Sequence, residues 1–309
     1  MLENLLILIV SLFFLIKGAT LATKYSVYLA QNCRLSKYII GFIVVAVISI
    51  LPETFIAINS AIEGIPAFGL GALFGSNVAD LTLVFAIIII FAGRGIKIQS
   101  TILKNNILYP FLFLIPLALG LNGHYSRGEG LALIIAGSIF YFLAFRKGFQ
   151  CSGSKKTADH RLKNFLFLIL SMAILLAASH FTVISATELA RDLGVSPILI
   201  GMLIVGLGTT MPELLFSLKS VKRRDDSLAI GDILGTVLAD ATIVVGIIAL
   251  INPFYFPQKI IYVTGSFMLL ASFLLYYFMR NDKVITKKEA GLLFLFWLIF
   301  IIIEFLINK

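Results

Sequence analysis

Residues 206–215, GLGTTMPELL, and residues 231–240, GDILGTVLAD, form a pair of motifs that recurs in altered form 160 residues earlier in the chain. The earlier copies are residues 47–55, VISILPETF, and residues 71–80, GALFGSNVAD. Each copy carries a Pro-Glu pair and then an Asp 27 residues after the Glu. Because ionisable groups inside apolar segments are costly, two matched sets of them indicate a duplicated functional unit.

The composition around these motifs is that of a membrane protein. Hydrophobic residues make up 60% of the 309 residues, charged residues only 13%, and the mean hydropathy is +1.02. Soluble domains are roughly half apolar, so this chain has more apolar surface than a soluble core could hide. The first apolar segment has neither a basic region before it nor a small-residue cleavage site after it, which predicts a retained first span.

Ten apolar segments of a length that can cross a bilayer are separated by polar or Gly/Pro-marked breaks. Five segments lie in each half of the chain. We therefore predict an all-α polytopic membrane protein with ten transmembrane helices. The segments lie at residues 3–28, 38–62, 67–92, 102–120, 128–145, 163–189, 196–220, 227–251, 258–279 and 286–307.

The distribution of Lys and Arg between the loops predicts the orientation. The loops after segments 1, 3, 5, 7 and 9 carry 20 Lys and Arg residues, and the opposite ends carry 4. The positive-inside rule puts the first set in the cytoplasm and both termini outside the cell membrane. This distribution accounts for the net charge of +9, so we predict no nucleic-acid partner. Cys33 and Cys151 fall in the cytoplasmic set and are predicted to be free thiols.

This orientation makes the two copies of the motif antiparallel across the membrane. Segment 2 starts inside and segment 7 starts outside, which predicts two inverted-topology five-helix repeats. Many secondary transporters have this arrangement, with a site near the midplane. We predict a first repeat at residues 1–148 (motif 38–92), a cytoplasmic linker at 149–162, and a second repeat at 163–309 (motif 196–251).

Each repeat places a proline and a glutamate well inside an apolar segment. Pro52 and Pro212 each remove one backbone hydrogen bond and free a carbonyl about one turn earlier. Helices broken at membrane depth persist only where the freed groups find partners or line a cavity. A hard cation is one such partner, and Glu53 or Glu213 follows each proline directly.

Hydroxyl groups lie four residues before each of the four acids, and therefore on the same helix face. Hydroxyl and carboxylate oxygens are ligands that Ca²⁺ accepts. Hydrogen bonding between helices is the structural alternative, but two matched sets of acids favour a cation site. The pairs are Ser49 with Glu53, Thr209 with Glu213, Ser76 with Asp80, and Thr236 with Asp240.

Of the other charged residues in the apolar segments, three need an interpretation. Asp232 is one turn before Thr236 on the cytoplasmic side, and its counterpart in the first repeat is Ala72. We interpret Asp232 as lining the cytoplasmic approach to the site. Glu304 and Lys17 are interpreted as snorkelling or pairing locally.

The four motifs resemble the two α-repeats of the Ca²⁺/cation antiporter superfamily, and are most similar to those of prokaryotic sodium/calcium exchangers. The resemblance covers essentially the whole chain. It implies exchange of Ca²⁺ for Na⁺ by alternating access, with no cofactor. It further implies shared ligands at Glu53 and Glu213 with Ser49 and Thr209 beside them, hydroxyl ligands at Ser76, Thr210 and Thr236, carbonyl ligands at Ala46 and Gly206, and central acidic positions at Asp80 and Asp240.

Three positions depart from the pattern of that family. Ile50 stands where sodium exchangers carry a hydroxyl, and Asp80 and Asp232 stand where Asn is usual. A site richer in acids and poorer in hydroxyls makes H⁺ a rival coupling ion and leaves K⁺ involvement open. The second repeat keeps the sodium-type sequence Thr209-Thr210, so Na⁺ is the preferred prediction.

Two functions of other classes, an intramembrane protease and a cation channel, fit the sequence less well. Paired intramembrane aspartates occur in proteases, but the Gly-x-Gly-Asp pattern is absent because Ala229 precedes Gly231 and Asp232. A channel can select cations with an acidic ring, but broken helices in inverted repeats favour alternating access. We predict that the chain is not an enzyme and that its partners are the lipid bilayer and the transported cations, with no obligate protein partner.

Overall fold

A computed structural model describes residues 1–30, 45–97, 108–147, 161–281 and 284–308. Ten helices lie in these ranges, and their number and order confirm the predicted all-α fold; seven of them are long and apolar enough to cross a membrane. Cys33, Cys151 and most of the predicted linker lie outside the described residues. The helices are α1 Leu2–Ala30, α2 Ala46–Ile62, α3 Pro66–Ala92, α4 Tyr109–Asn122, α5 Arg127–Lys147, α6 Arg161–Leu193, α7 Pro197–Lys222, α8 Asp226–Ile251, α9 Ile260–Arg280 and α10 Lys287–Asn308.

Two small antiparallel sheets join the halves of the chain. Strand β1 (Ile96–Lys97) pairs with β4 (Val284–Ile285), and β2 (His124–Tyr125) pairs with β3 (Phe254–Tyr255). The first sheet joins the loops after α3 and α9, and the second joins the loops after α4 and α8. Each sheet therefore connects one loop of the first repeat to one loop of the second.

These connections group the loops at two opposite ends of the molecule. At one end, the guanidinium of Arg94, after α3, contacts Asp226 at the start of α8. At the other end, the amino group of Met1 lies 2.6 Å from Asp192 near the end of α6. The loops after odd-numbered and even-numbered helices thus segregate as the charge count predicts, which agrees with inverted five-helix repeats.

Proline residues mark the interruptions of α2 and α7, and π-helical turns occur within α3 and α8. Helix α2 consists of Ala46–Ser49 and Leu51–Ile62 with Ile50 between them, and in α7 the corresponding interruption is at Thr210. Helices α3 and α8 each contain one π-helical stretch, at Asp80–Val84 and Asp240–Val244. Single π turns in α-helices often mark functional sites because they widen the helix and redirect side chains.

Helices α3 and α8 form the centre, whereas α1 and α6 lie at the periphery. In α3 and α8 about five-sixths of the spanning residues are buried, against one-third in α1 and α6 (83% and 33%). Helices α1 and α6 pack along each other and contact the rest through a separate, smaller apolar cluster that includes Leu15, Leu175 and Ile56. The outward faces of α1 and α6 remain apolar and exposed, as expected for surfaces that contact lipid.

Candidate cation site

The two prolines place one glutamate from each repeat at the centre of the molecule. Because Pro52 and Pro212 have no backbone N–H, the carbonyls four residues earlier, at Ile48 and Gly208, lose their helical donors. Each proline lies in the first turn of the second part of its helix, where its fixed φ is tolerated. Glu53 and Glu213 follow directly and are 3% and 0% exposed.

Four buried carboxyl groups have no hydrogen-bond partner at either oxygen within the part of the chain that the structure describes. They belong to Glu53, Asp80, Glu213 and Asp240, the four acids matched between the repeats. Asp80 and Asp240 begin the π-helical stretches of α3 and α8, and both are fully buried. Burying an ionised carboxylate without a partner is strongly unfavourable, so these groups need a bound cation or a proton.

The acids lie close enough to repel one another. Glu53 interacts electrostatically with Asp80, Glu213, Asp232 and Asp240, and Glu213 also interacts with Asp80 and Asp232. No Lys or Arg among the described residues contributes to these interactions. The other four acids that the sequence singled out in the motifs, including Asp232, thus all lie within electrostatic range of Glu53.

The hydroxyl groups of the first repeat make contacts that their helical spacing did not predict. Ser49 Oγ donates to Asp232 Oδ1 of the other repeat at 2.9 Å, and Ser76 Oγ donates to the Leu73 carbonyl at 2.9 Å. Among the described residues, no hydrogen bond joins the members of the four predicted hydroxyl-acid pairs. Hydroxyls in helices commonly donate to a carbonyl of the preceding turn, which leaves their lone pairs free.

The second repeat holds its hydroxyls differently. Thr209 Oγ1 donates to the Gly206 carbonyl at 3.0 Å and lies beside the carboxyl group of Glu53, across the repeat boundary. Thr210 Oγ1 donates to the Leu207 carbonyl at 2.9 Å. Thr236 Oγ1 is buried without a partner. The two predicted carbonyl ligands, at Ala46 and Gly206, both lie in the buried first part of a broken helix.

Glycines allow α3 and α7 to approach closely beside these acids. A Cβ on Gly75 would lie 2.9 Å from Met202 Cα, and one on Gly206 would lie 3.1 Å from the Ala72 carbonyl oxygen and from the Ser76 nitrogen. A side chain at Gly75 would require its neighbours to shift, and one at Gly206 would be a tight fit against backbone. The close approach therefore brings Gly206 next to Ser76 and puts the site at the interface of the repeats.

The spacing of the acids limits how one cation could be bound. Within the described ranges, no three acidic, His or Cys side chains converge on one point as metal ligands. A single cation here would take at most two carboxylates and complete its shell with hydroxyl and carbonyl oxygens. Ca²⁺ accepts such mixed oxygen shells of six to eight ligands.

Three buried polar residues near the acids were missed by the sequence reasoning. Asn77, between Ser76 and Asp80, is fully buried with Oδ1 unpartnered, and the hydroxyls of Thr54 and Ser217 are also buried without partners. A signal was available, since Ser217 lies four residues after Glu213 and Thr54 follows Glu53. They were missed because only the acids and the hydroxyls four residues before them were taken as candidate ligands.

Glu304 and Lys17, which lie outside the motifs, make their described contacts on α9 and α1. Glu304 of α10 is 1% exposed and accepts a hydrogen bond from Thr264 of α9 at 2.5 Å. The Lys17 ammonium lies 5.6 Å from the ring centre of Phe13 on α1. The Lys17 contact stays within one turn of its own helix, whereas Glu304 is buried and bonds to a neighbouring helix instead of snorkelling.

Comparison with known proteins identifies a matching family and similar membrane proteins. A family model described as sodium/calcium exchanger protein matches residues 3–146 and 163–306. The chain is 22% identical to the sodium/calcium exchanger MaX1 of Methanosarcina acetivorans, with 98% of this chain and 99% of that one covered. It is 24% identical to the inner membrane protein YrbG of Escherichia coli, with 80% and 79% covered. The solved structure of the sodium-calcium exchanger NCX_Mj has the same fold, with a TM-score of 0.73, 22% identity and 96% of each chain covered.

Proposed function

Because this chain belongs to the sodium/calcium exchanger protein family, a family of membrane cation antiporters, we propose that it exchanges Ca²⁺ for Na⁺ by alternating access at the site between the repeats. The observation that carries this proposal is the set of four matched, buried and unpartnered carboxyl groups. No positive side chain of the described ranges offsets them, so mobile cations are the partners that fit.

In the proposed mechanism Glu53 and Glu213 are the ligands that both ions share. They come from opposite repeats, and each follows a helix break whose first part carries the proposed carbonyl ligand, Ala46 or Gly206. Ser49 and Thr209 add hydroxyl oxygens to a Ca²⁺ shell. Ser76, Thr210, Thr236, Asp80 and Asp240 form flanking positions for Na⁺. Since the ions use the same carboxylates, binding of one excludes the other.

Charge neutralisation explains why exchange would be coupled. An unfilled carboxylate cluster is costly to move through the apolar centre, so the protein reorients only when cations or protons fill it. Helices α1 and α6 have no acid in the cluster and contact the other helices through a separate apolar patch, which suits them to slide. We further propose a plasma-membrane location with both termini outside, repeats at residues 1–148 and 163–309, and no obligate protein partner.

Coupling to H⁺ is the alternative that a specific feature favours. Ile50 is 9% exposed and lies between the two parts of α2, where it offers no oxygen to Na⁺. Thr210, its counterpart, keeps a hydroxyl. The sodium-type second repeat and the family of the chain favour Na⁺, and the additional acid at Asp80 leaves K⁺ involvement as a variant of the same mechanism.

A vesicle experiment tests the coupling ion and the site together. Purified protein is reconstituted into vesicles loaded with Ca²⁺, and either a Na⁺ gradient or a pH gradient is imposed. We expect Ca²⁺ efflux under the Na⁺ gradient and none under the pH gradient alone. Efflux driven only by the pH gradient would assign H⁺ as the coupling ion, and passive conductance without a counter-ion would indicate a channel.

Matched variants test the ligand assignment. Glu53→Gln and Glu213→Gln keep the size of the side chain but remove the charge, and each should abolish exchange. Glu63→Gln, at the partly exposed end of α2, is the control and should leave exchange intact. Full exchange by both variants at positions 53 and 213 would contradict the site assignment.

A further inference from the structure

One acid of the cluster has no counterpart in the other repeat. Asp232 of α8 corresponds to Ala72 of α3, whereas the other four acids are matched. Asp232 is fully buried, its Oδ1 accepts the hydrogen bond from Ser49, and its Oδ2 has no partner. The repeats are therefore chemically asymmetric at the point where α2 and α8 meet.

This asymmetry changes how the two matched hydroxyls are held. A hydroxyl has one proton to donate, and Ser49 donates it to a carboxylate of the opposite repeat. Thr209, its counterpart, donates to the Gly206 carbonyl of its own helix. The bond to Asp232 fixes the orientation of the Ser49 hydroxyl and leaves both of its lone pairs available to a cation.

Asp232 also adds an acidic group next to the first repeat. Asp232 lies close enough to Glu53, Asp80 and Glu213 to interact with each of them electrostatically. Ile50, directly after Ser49, offers no oxygen. This half of the site thus lacks the hydroxyl that Thr210 supplies in the second repeat and gains an acid, which favours a divalent over a monovalent cation.

We propose that Asp232 is a positioning and specificity-determining residue, which orients the Ser49 hydroxyl towards the bound cation and raises the preference of the site for Ca²⁺ over Na⁺. This inference rests on the proposed cation site and deepens it. Asp232 would act on Ser49 as outer-shell groups act on the ligands of metal sites: it fixes the orientation of the ligand and raises its basicity. A purely structural role, in which Asp232 only joins α2 to α8, predicts lower stability without altered selectivity.

Equilibrium binding separates these roles. The purified protein is titrated in detergent with Ca²⁺ alone and then with Na⁺ as a competitor, which yields the ratio of the two affinities without transport. Asp232→Asn keeps an acceptor for Ser49 but removes the charge, and Asp232→Ala removes both. We expect the preference for Ca²⁺ over Na⁺ to fall about 10-fold in the Asn variant and up to about 100-fold in the Ala variant.

Two further variants make the test specific. Ser49→Ala combined with Asp232→Ala should lower Ca²⁺ affinity by less than the product of the single effects, because both act on one ligand. Asp226→Asn removes another hydrogen-bonded acid from α8, outside the cluster, and should lower thermal stability without changing the affinity ratio.

The outcomes distinguish this inference from the proposed function. An unchanged affinity ratio in Asp232→Asn and Asp232→Ala overturns the inference, whether or not their stability falls. Absence of Ca²⁺ binding by the wild-type protein also overturns it. Ca²⁺ binding with the expected changes in ratio, but no Na⁺-driven Ca²⁺ movement in vesicles, supports the inference and refutes the proposed coupling alone.

Discussion

The ion pair between Arg94 and Asp226 gives a stability prediction that can be worked from its geometry. Arg94 donates from Nη1 and Nη2 to the two carboxylate oxygens of Asp226, both at 2.7 Å, and its Nη2 also donates to the Val221 carbonyl at 3.2 Å. The backbone N–H of Lys97 donates to Asp226 at 3.0 Å. These contacts join the loop after α3 to the ends of α7 and α8, across the repeat boundary.

Arg94→Met is the informative change, because it keeps the apolar stem and removes the charge. Removing one partner of a buried ion pair costs about 3 to 5 kcal/mol, whereas exposed pairs contribute about 0 to 1 kcal/mol. The Asp226 side chain is only 9% exposed but that of Arg94 is 33% exposed. We therefore expect an intermediate loss of about 2 to 3 kcal/mol in the free energy of unfolding.

Thermal unfolding in detergent measures this loss. For a chain of this size it corresponds to a Tm about 3 to 5 °C lower. Arg94→Lys keeps the charge without the bidentate geometry and should lie between wild type and Arg94→Met. In the background of Asp226→Asn, Arg94→Met should cost much less, since its partner is already neutral.

The pKa of the Arg94 guanidinium determines how the loss of stability in Arg94→Met depends on pH. The hydrogen bond from Arg94 to Asp226 raises the pKa of Arg94 above its ordinary value. A group with a raised pKa loses its contribution only as the pH rises through that value, which lies above the range in which proteins are assayed. The difference in Tm between wild type and Arg94→Met should therefore be the same at about pH 7 and about pH 9. An equal Tm for Arg94→Met and wild type would refute the reasoning.

Three further predictions concern the site and its surroundings. Ile50→Ser should lower the Na⁺ concentration for half-maximal exchange about 2-fold to 10-fold by adding an oxygen, measured against Ile50→Ala, and no difference between the two variants would count against the missing-hydroxyl argument. Gly75→Ala should cost about 1 to 3 kcal/mol of stability and slow exchange, because its Cβ would overlap Met202; Gly291→Ala, whose Cβ would meet no atom within 4 Å, is the control. Glu304→Leu should lower stability by about 1 to 3 kcal/mol by orphaning the Thr264 hydroxyl while leaving the Ca²⁺ to Na⁺ affinity ratio unchanged, and a shifted ratio would place Glu304 in the ion mechanism.

Several features of the fold followed from the sequence because they depend on local chemistry. Apolar length fixes the number of helices, and the asymmetry of Lys and Arg between loops predicts their direction in the membrane. Pro52 and Pro212 fix the positions of the helix breaks for the same reason, since a missing N–H and a steric clash act on the residues next to them. The repeat of Glu53 and Asp80 as Glu213 and Asp240 then indicates which acids belong together.

Other features depend on groups that are distant in the chain, and only the tertiary structure decided them. Helical spacing placed Ser49 beside Glu53, but the hydroxyl bonds to Asp232, 183 residues away, because a buried carboxylate from the facing helix is a stronger acceptor than a carbonyl of its own turn. The same applies to Thr209 beside Glu53 and to the pairing of β1 with β4. Local periodicity determines which face of a helix a residue occupies, whereas close packing at glycines such as Gly75 and Gly206 determines what that face meets.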